Sequence, residues 1–263
     1  MRPIVGAFRA TRLLLHLVYG FSIALVFPRL KQDLRRRILQ RWSCRLLYIL
    51  NVEVVSSSIN MPRSGIIVTN HISWLDVFVL NAITPMRFVA KSEVRQWPLF
   101  GWLCARAQTL FIERGRARDA ARINKQLVRF LRAGESLAVF PEGTTTDGRS
   151  VGVFHASLLQ PAIDAKVPIY PVAIRYQDAH GQPSNAAAYI DDVSFIASLW
   201  NIMSCKSLHV RLVATPLIDT ADSDRRSVAH KARQQIHAAL LHMSVSPYPP
   251  CDIPRAVAGC TAA

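Results

Sequence analysis

Apolar positions run almost unbroken from Leu13 to Phe27, interrupted only by His16, Gly20 and Ser22. Fifteen helical residues cover roughly 22 Å, less than the ~30 Å hydrocarbon core of a bilayer. Arg9 and Arg12 precede the run, and Arg29 and Lys31 follow it. That pattern predicts an interfacial or re-entrant anchor. A cleaved signal peptide is not expected, because the small residues Ser22 to Ala24 lie inside the run and a basic segment follows directly. From Lys31 to Leu50 the apolar set Leu34, Ile38, Leu39, Trp42, Leu46 and Leu47 recurs at three- and four-residue spacing among Arg35, Arg36, Arg37, Arg41 and Arg45. This predicts a basic amphipathic helix suited to an anionic leaflet, or else to packing on a neighbouring domain.

Beyond Asn51 the pattern changes to short apolar runs alternating with helical periodicity. Strands are predicted at 52–57, 65–70, 87–90, 108–112, 136–140, 168–175, 187–190 and 208–214, and helices at 73–83, 117–133, 153–165 and 224–243. Interleaving of this kind predicts an α/β fold, a mixed sheet flanked by helices with an N-terminal helical, membrane-associating extension. The expected organisation is an extension at 1–50, a catalytic domain at 51–243 and a proline-rich, loosely packed tail at 244–263. Helix 117–133 is strongly basic, with Arg116 just before it and Arg118, Arg122, Lys125, Arg129 and Arg132 within it. A solvated face accounts for most of that charge.

Composition narrows the partners. With 51% hydrophobic residues in 263 the chain has ample material for a core. Thirty-two Lys and Arg against 17 Asp and Glu give +15, which points to anionic partners. No zinc-ligand spacing, RNA-recognition aromatic motif or low-complexity basic tail accompanies the charge, and the mean hydropathy is +0.19, so a membrane surface is favoured over nucleic acid. The five cysteines, Cys44, Cys104, Cys205, Cys251 and Cys260, are scattered without a C-x-x-C, as expected of reduced thiols facing a cytoplasm. No metal is expected.

The candidate chemistry lies in Asn70-His71-Ile72-Ser73-Trp74-Leu75-Asp76, just after the strand 65–70. An imidazole beside a carboxylate is what a general base near neutral pH needs. Eight histidines and twelve aspartates give about 0.4 such H-x4-D pairs by chance, so the pair alone decides little. In one helix, residues five apart point about 140° apart. His71 is therefore expected in the loop before the helix, with Asp76 reaching back to it from the first turn. Ser73 reads as the helix N-cap, since no G-x-S-x-G elbow occurs anywhere in the chain. Asp147 and His155 read as loop residues.

Three further blocks follow in order: Thr109-Leu110-Phe111-Ile112-Glu113-Arg114-Gly115, Ser136 to Thr144 ending in Phe140-Pro141-Glu142-Gly143, and Val167 to Ile174 with Pro168 and Pro171. Together with N-H-x4-D they resemble the four sequence blocks of the glycerolipid acyltransferases, a family that includes bacterial 1-acylglycerol-3-phosphate acyltransferases. The resemblance runs from about Ile66 to Ile174. It implies His71 and Asp76 as the catalytic pair, Arg114, Glu142 and Gly143 at the acyl acceptor, and a structural or donor role for Pro171. Lys91, at the end of strand 87–90, is a further candidate for head-group charge. The implied reaction moves an acyl group from acyl-CoA or acyl-carrier protein to the free hydroxyl of a lysolipid, with no other cofactor, in phospholipid biosynthesis at the cytoplasmic face of the inner membrane. The implied mechanism is ternary, with no acyl-enzyme, and backbone N–H groups at the start of helix 73–83 are candidate oxyanion donors.

One departure bears on the acceptor. The third block commonly reads E-G-T-R, whereas here Glu142-Gly143-Thr144 continues Thr145-Thr146-Asp147. The missing guanidinium removes a fork-shaped phosphate binder. The expected ranking is 1-acylglycerol-3-phosphate first and lyso-ornithine lipid second. Two other classes are a hydrolase using His71 to activate water and a non-enzymatic membrane or nucleic-acid binding module.

Overall fold

The computed structural model describes residues 3–57, 65–97, 100–113, 117–190 and 192–245. The candidate Arg114 and the tail beyond residue 245 lie outside them. Seven strands form one mixed sheet: β1 (Val52–Ser57), β2 (Gly65–Thr69), β3 (Arg87–Lys91), β4 (Leu110–Ile112), β5 (Ser136–Val139), β6 (Ile169–Gln177) and β7 (Leu208–Ala214), in the order β1-β7-β6-β2-β5-β3-β4. All neighbouring pairs are parallel except β6 with β7. β2 is buried from end to end, as an unalternated apolar run between two parallel neighbours requires.

Helices cover both faces. On one side α1 (Pro3–Val26), α2 (Gln32–Ile49), α3 (Asp76–Ile83) and α7 (Phe195–Ser204) share a core with Ile67, Val172, Ile174 and Tyr176. On the other, α5 (Ala117–Arg132), α6 (Gln160–Ala165) and α8 (Arg225–Val245) close over Ile66, Val68, Leu137 and Val139. α5 buries Ile123, Leu127 and Leu131 at four-residue spacing and keeps Arg122, Lys125 and Arg129 exposed. α4 (Phe100–Arg106) sits beside α1, where Trp102 stacks on Phe21 with ring centroids 6.1 Å apart.

Several elements depart from the sequence expectation. α1 has 24 residues, about 36 Å at 1.5 Å per residue, and is long and apolar enough to cross a bilayer. One stripe of it packs on the domain, while most of its surface is exposed. Leu13, His16, Ala24 and Phe27 are buried, and His16 stacks on Trp42 at 4.6 Å. A Cβ on Gly20 would fall 2.6 Å from the Trp42 indole nitrogen, so glycine permits that approach. α2 is docked just as firmly. Gln40 Nε2 donates to the carbonyls of Ala82 and Ile83 at the end of α3, and Leu46, Leu47 and Ile49 belong to the sheet's own core. No break in packing therefore falls at residue 50.

The expected helix 153–165 is a 3-10 turn (Ala156–Leu159) followed by α6, whose first turn accepts Pro161 because no N–H is needed there. Residues 187–190 form no strand. They cross beside the catalytic loop, where the Tyr189 N–H donates to the Ile72 carbonyl at 2.9 Å.

Candidate active site

Three of the four sequence blocks, the first, third and fourth, meet at the carboxyl ends of the parallel strands β2, β5 and β6, the usual location of ligand sites in open α/β sheets. His71 follows β2, Glu142 follows β5, and Tyr176 closes β6. Asn70 sets the junction. Its side-chain amide donates to the Ile174 carbonyl at 2.9 Å and accepts from the Ile174 N–H at 2.8 Å, pinning the end of β2 to β6.

The chain then turns sharply, because Asp76 bends back over it. One carboxylate oxygen, Oδ2, accepts from His71 Nδ1 at 2.8 Å, from the Ile72 N–H at 2.8 Å and from the Ser73 N–H at 3.0 Å. The other, Oδ1, accepts from the Tyr176 hydroxyl at 2.7 Å. Asp76 is fully buried, and four donors match the ionised, acceptor-only form of the group. Burial, reinforced by the negative charge of Asp76, pushes the Tyr176 phenol well above its ordinary value, so the hydroxyl remains a donor.

α3 accordingly begins at Asp76 and not at residue 73. Ser73 is no N-cap. Its Oγ accepts from the Leu75 N–H within a tight turn, and its carbonyl accepts from the Asp76 N–H. The N–H groups of Ile72, Ser73, Leu75 and Asp76 are thus engaged inside the loop, which disqualifies them as oxyanion donors.

His71 is held on every side but one. Its ring lies over Phe140, with centroids 3.9 Å apart and planes tilted by 19°. Its backbone N–H donates to Glu142 Oε1 at 2.9 Å, and its carbonyl accepts from the Thr146 N–H at 2.8 Å. Nδ1 faces Asp76, while Nε2 meets no protein partner among the described residues. The side chain is 20% exposed, enough for a substrate to reach that nitrogen. An imidazole fixed in this way is fit to remove a proton from a hydroxyl and to hold the resulting charge against Asp76.

Glu142 is bonded to two backbone amides. Its Oε1 braces His71 and its Oε2 accepts from the Gly152 N–H at 2.8 Å, so the carboxylate ties the third-block loop to the His71 loop. Burial pushes its acid up, with the Gly152 and His71 amides pulling it partly back. Gly143 follows in a left-handed turn at φ 69°, closed by its N–H donating to the Phe140 carbonyl.

Replacing Glu142 by Ala would leave two buried N–H groups unpaired and free the His71 backbone. A drop in kcat of about tenfold to hundredfold with little change in acceptor KM is expected, since misplacing a catalytic group by about 1 Å costs that much. A raised KM at unchanged kcat would instead return Glu142 to the acceptor.

The departing position of the third block points inward. Thr145 Oγ1 donates to the Tyr189 carbonyl, beside the bond from Tyr189 to Ile72. Asp147 lies on the solvent side of the same loop with Arg149 3.7 Å away, and His155 is exposed. Lys91 ends β3, two strands from β2, and continuing the Phe88–Ala138 register brings it level with Pro141 at the same rim. Pro171 lies inside β6 opposite Val68, and its carbonyl accepts from the Thr215 hydroxyl, a structural position. A cavity of about 720 Å³ on the far face, between β7 and α8, is lined by none of the site residues.

The sequence pattern does not single out Tyr176, Phe140 or Thr146, and it leaves Asn70 without a role. Phe140 directly follows the apolar strand β5 and Tyr176 lies within β6, where both read as core.

A lyso-ornithine lipid O-acyltransferase of Pseudomonas aeruginosa is 40% identical over 210 residues, covering 79% of this chain and 80% of that protein. This chain belongs to the acyltransferase family. The family model matches residues 51–175, a span holding His71, Asp76, Arg114, Glu142 and Pro171. The 1-acyl-sn-glycerol-3-phosphate acyltransferase of Neisseria meningitidis is 35% identical over 192 residues, covering 73% of this acyltransferase and 75% of that one. The crystal structure of the 1-acyl-sn-glycerophosphate acyltransferase PlsC from Thermotoga maritima shares the fold, with a TM-score of 0.62 at 21% identity, covering 92% of this chain and all of that one.

Proposed function

We propose that this acyltransferase esterifies the free hydroxyl of a lysolipid with an acyl group from a thioester, either acyl-CoA or acyl-carrier protein, at a membrane surface. The carrying observation is the geometry of His71, with Nδ1 bonded to the buried Asp76 and Nε2 open to the substrate side. Nε2 takes the proton from the acceptor hydroxyl as its oxygen attacks the thioester carbonyl. The imidazolium so formed faces the Asp76 carboxylate, and its proton goes to the departing thiolate. No enzyme nucleophile is needed: Ser73 lies beside His71 in sequence, yet its hydroxyl is fully buried and bonded to the Leu75 N–H.

For the acceptor, two observations now favour a lyso-ornithine lipid over 1-acylglycerol-3-phosphate, reversing the order expected from the sequence. The relative that is 40% identical carries that activity in its name. The loop position where a phosphate-binding arginine is common holds Thr145, committed to the Tyr189 carbonyl. The purified protein, given acyl donor and both lysolipids, is expected to acylate the ornithine lipid with at least tenfold higher kcat/KM, a difference of ~1.4 kcal/mol in transition-state binding. The opposite preference would restore the phosphate acceptor, and release of free fatty acid without acylated lipid would replace transfer by hydrolysis.

Membrane association is assigned to α1. Its inner stripe is packed on the domain, and its outer face exposes Leu14, Leu15, Val18, Tyr19 and Leu25. This supports a helix lying in the interface beside the domain, and the membrane we propose is the inner one at its cytoplasmic face. Leu15→Glu with Val18→Glu is expected to release the protein from anionic vesicles at least tenfold, while leaving the fold intact because both sites are exposed. Deleting residues 1–50 would test this poorly, since Leu46, Leu47 and Ile49 of α2 belong to the sheet's core. Unchanged vesicle binding by the double variant would remove α1 from the interface.

A further inference from the structure

α7 presents two faces of opposite fate. It starts at Ser194, whose Oγ accepts from the Ala197 N–H at 3.2 Å. Its inner side buries Ser198, Ile202 and Met203 against the domain. Its outer side carries Ile196 and Trp200, one turn apart and 78% and 64% exposed. No residue of the helix is charged. Two large apolar side chains held outward on an uncharged helix form a patch that water does not stabilise.

α7 itself is a neighbour of α1. Arg9 Nη1 donates to the Met203 carbonyl at 3.2 Å, joining the two helices, and Phe21 further along α1 stacks on Trp102 of α4. Guanidiniums lie among the aromatic side chains of these neighbouring helices. Arg12 lies 5.5 Å from the Phe8 ring centroid and 5.1 Å from that of Tyr48, and Arg106 lies 5.1 Å from that of Trp102. Exposed aliphatic and aromatic side chains with arginines among them match a leaflet with anionic head groups, which offers acyl chains to the one and phosphates to the other.

The inner side of α7 reaches the catalytic loop. Trp74, within the His71–Asp76 segment, donates from its indole N–H to Ser198 Oγ at 3.1 Å, and its ring packs on Phe195 with centroids 5.0 Å apart. We propose that α7 is a second membrane-inserting element, entering an anionic phospholipid leaflet through Ile196 and Trp200 beside α1 and seating the His71 loop at that interface. The inference rests on the membrane reading above. It adds a contact from within the catalytic domain, far in sequence from the N-terminal helix. A lysolipid hydroxyl then meets His71 without leaving the head-group layer.

The test uses the full-length protein with vesicles of phosphatidylethanolamine and phosphatidylglycerol. Lipids brominated on their acyl chains are expected to quench the wild-type tryptophan fluorescence, and Trp200→Phe is expected to lose a distinct share of that quenching. Ile196→Glu with Trp200→Glu is expected to weaken vesicle co-sedimentation about tenfold or more. Acylation of bilayer-held lysolipid should fall in parallel, while turnover of a short-chain lysolipid below its micellar concentration stays at the wild-type level.

Failure of the wild-type protein to sediment with vesicles would bring down the membrane reading and this proposal together. Sedimentation with equal quenching in wild type and Trp200→Phe overturns the α7 contact alone. Equal loss on the soluble acceptor also overturns it, making α7 only a support for Trp74. A double variant that turns a dimer into a monomer with vesicle binding intact assigns the face to a second copy, and the proposal fails.

Discussion

Replacing His71 by Ala is expected to lower kcat for acyl transfer by 10²–10⁴-fold, the range typical of a positioned general base. The structure makes the variant clean. The His71 backbone is fixed by Glu142 Oε1 and the Thr146 N–H, and neither bond uses the side chain. Loss of the imidazole leaves a space over Phe140 and removes one of four donors to Asp76. The Ile72 and Ser73 amides and the Tyr176 hydroxyl remain to hold that carboxylate. The loop should therefore keep its shape, and the acceptor its KM to within a few-fold. Circular dichroism and vesicle binding at wild-type levels, together with the fall in kcat, would isolate the chemistry. A folded His71→Ala protein that transfers acyl groups at nearly the wild-type rate would remove His71 from the mechanism.

Much of this site is legible in the sequence, for a local reason. Five residues along one helix cannot bring His71 and Asp76 together, so the pair requires a loop followed by a backward-reaching carboxylate, and that is the observed turn. The strands leading to it are short apolar runs closed by polar or glycine residues, a signal carried by the residues themselves. The part of Glu142 is not legible in this way. Its two partners, the amides of His71 and Gly152, are brought to it by the parallel pairing of β2 with β5 and by the loop after β5, and no spacing encodes that. Tyr176 is hidden similarly. A tyrosine in a buried strand reads as core until the sheet places its hydroxyl on Asp76, 100 residues away in sequence.

The helices that sequence patterning misses or shortens have a different cause. α7 exposes Ile196 and Trp200 on its outer side and buries Ser198 on its inner one, so its apolar positions do not mark the buried face. In α1 the apolar run covers only part of the helix, which makes the run alone too short to cross a bilayer. The helix continues through Arg9 and Arg12 to Pro3, where proline is acceptable at a first turn, and stops only where Pro28 enters a 3-10 turn. Residues 187–190 show the converse error. Four apolar positions resemble a strand, yet Tyr189 bonds to the irregular backbone at Ile72 and to Thr145, while Ala188 and Ile190 bond within local turns to Asn185 and Val193.

Asp76→Asn is the second large effect, and the geometry dictates how it arises. From the sequence, loss of tautomer control is the natural expectation. In the structure the site of Oδ2 faces three donors, His71 Nδ1 and the amides of Ile72 and Ser73, while the site of Oδ1 faces only the Tyr176 hydroxyl. An asparagine would turn its oxygen toward the three donors and its NH₂ toward Tyr176, whose hydroxyl can rotate to accept. The backbone turn and the His71 tautomer are thereby preserved. What disappears is the negative charge opposite the imidazolium that forms as the acceptor hydroxyl is deprotonated. A buried counter-charge of this kind is worth several kcal/mol, so kcat should fall by about 10²–10⁴-fold with the fold and acceptor KM nearly unchanged. Tyr176→Phe separates the two contributions. It keeps the charge and removes one hydrogen bond, for which about 0.5–1.5 kcal/mol and a loss of roughly tenfold or less are expected. Comparable losses in Asp76→Asn and Tyr176→Phe would mean that Asp76 acts by holding the loop and not by its charge.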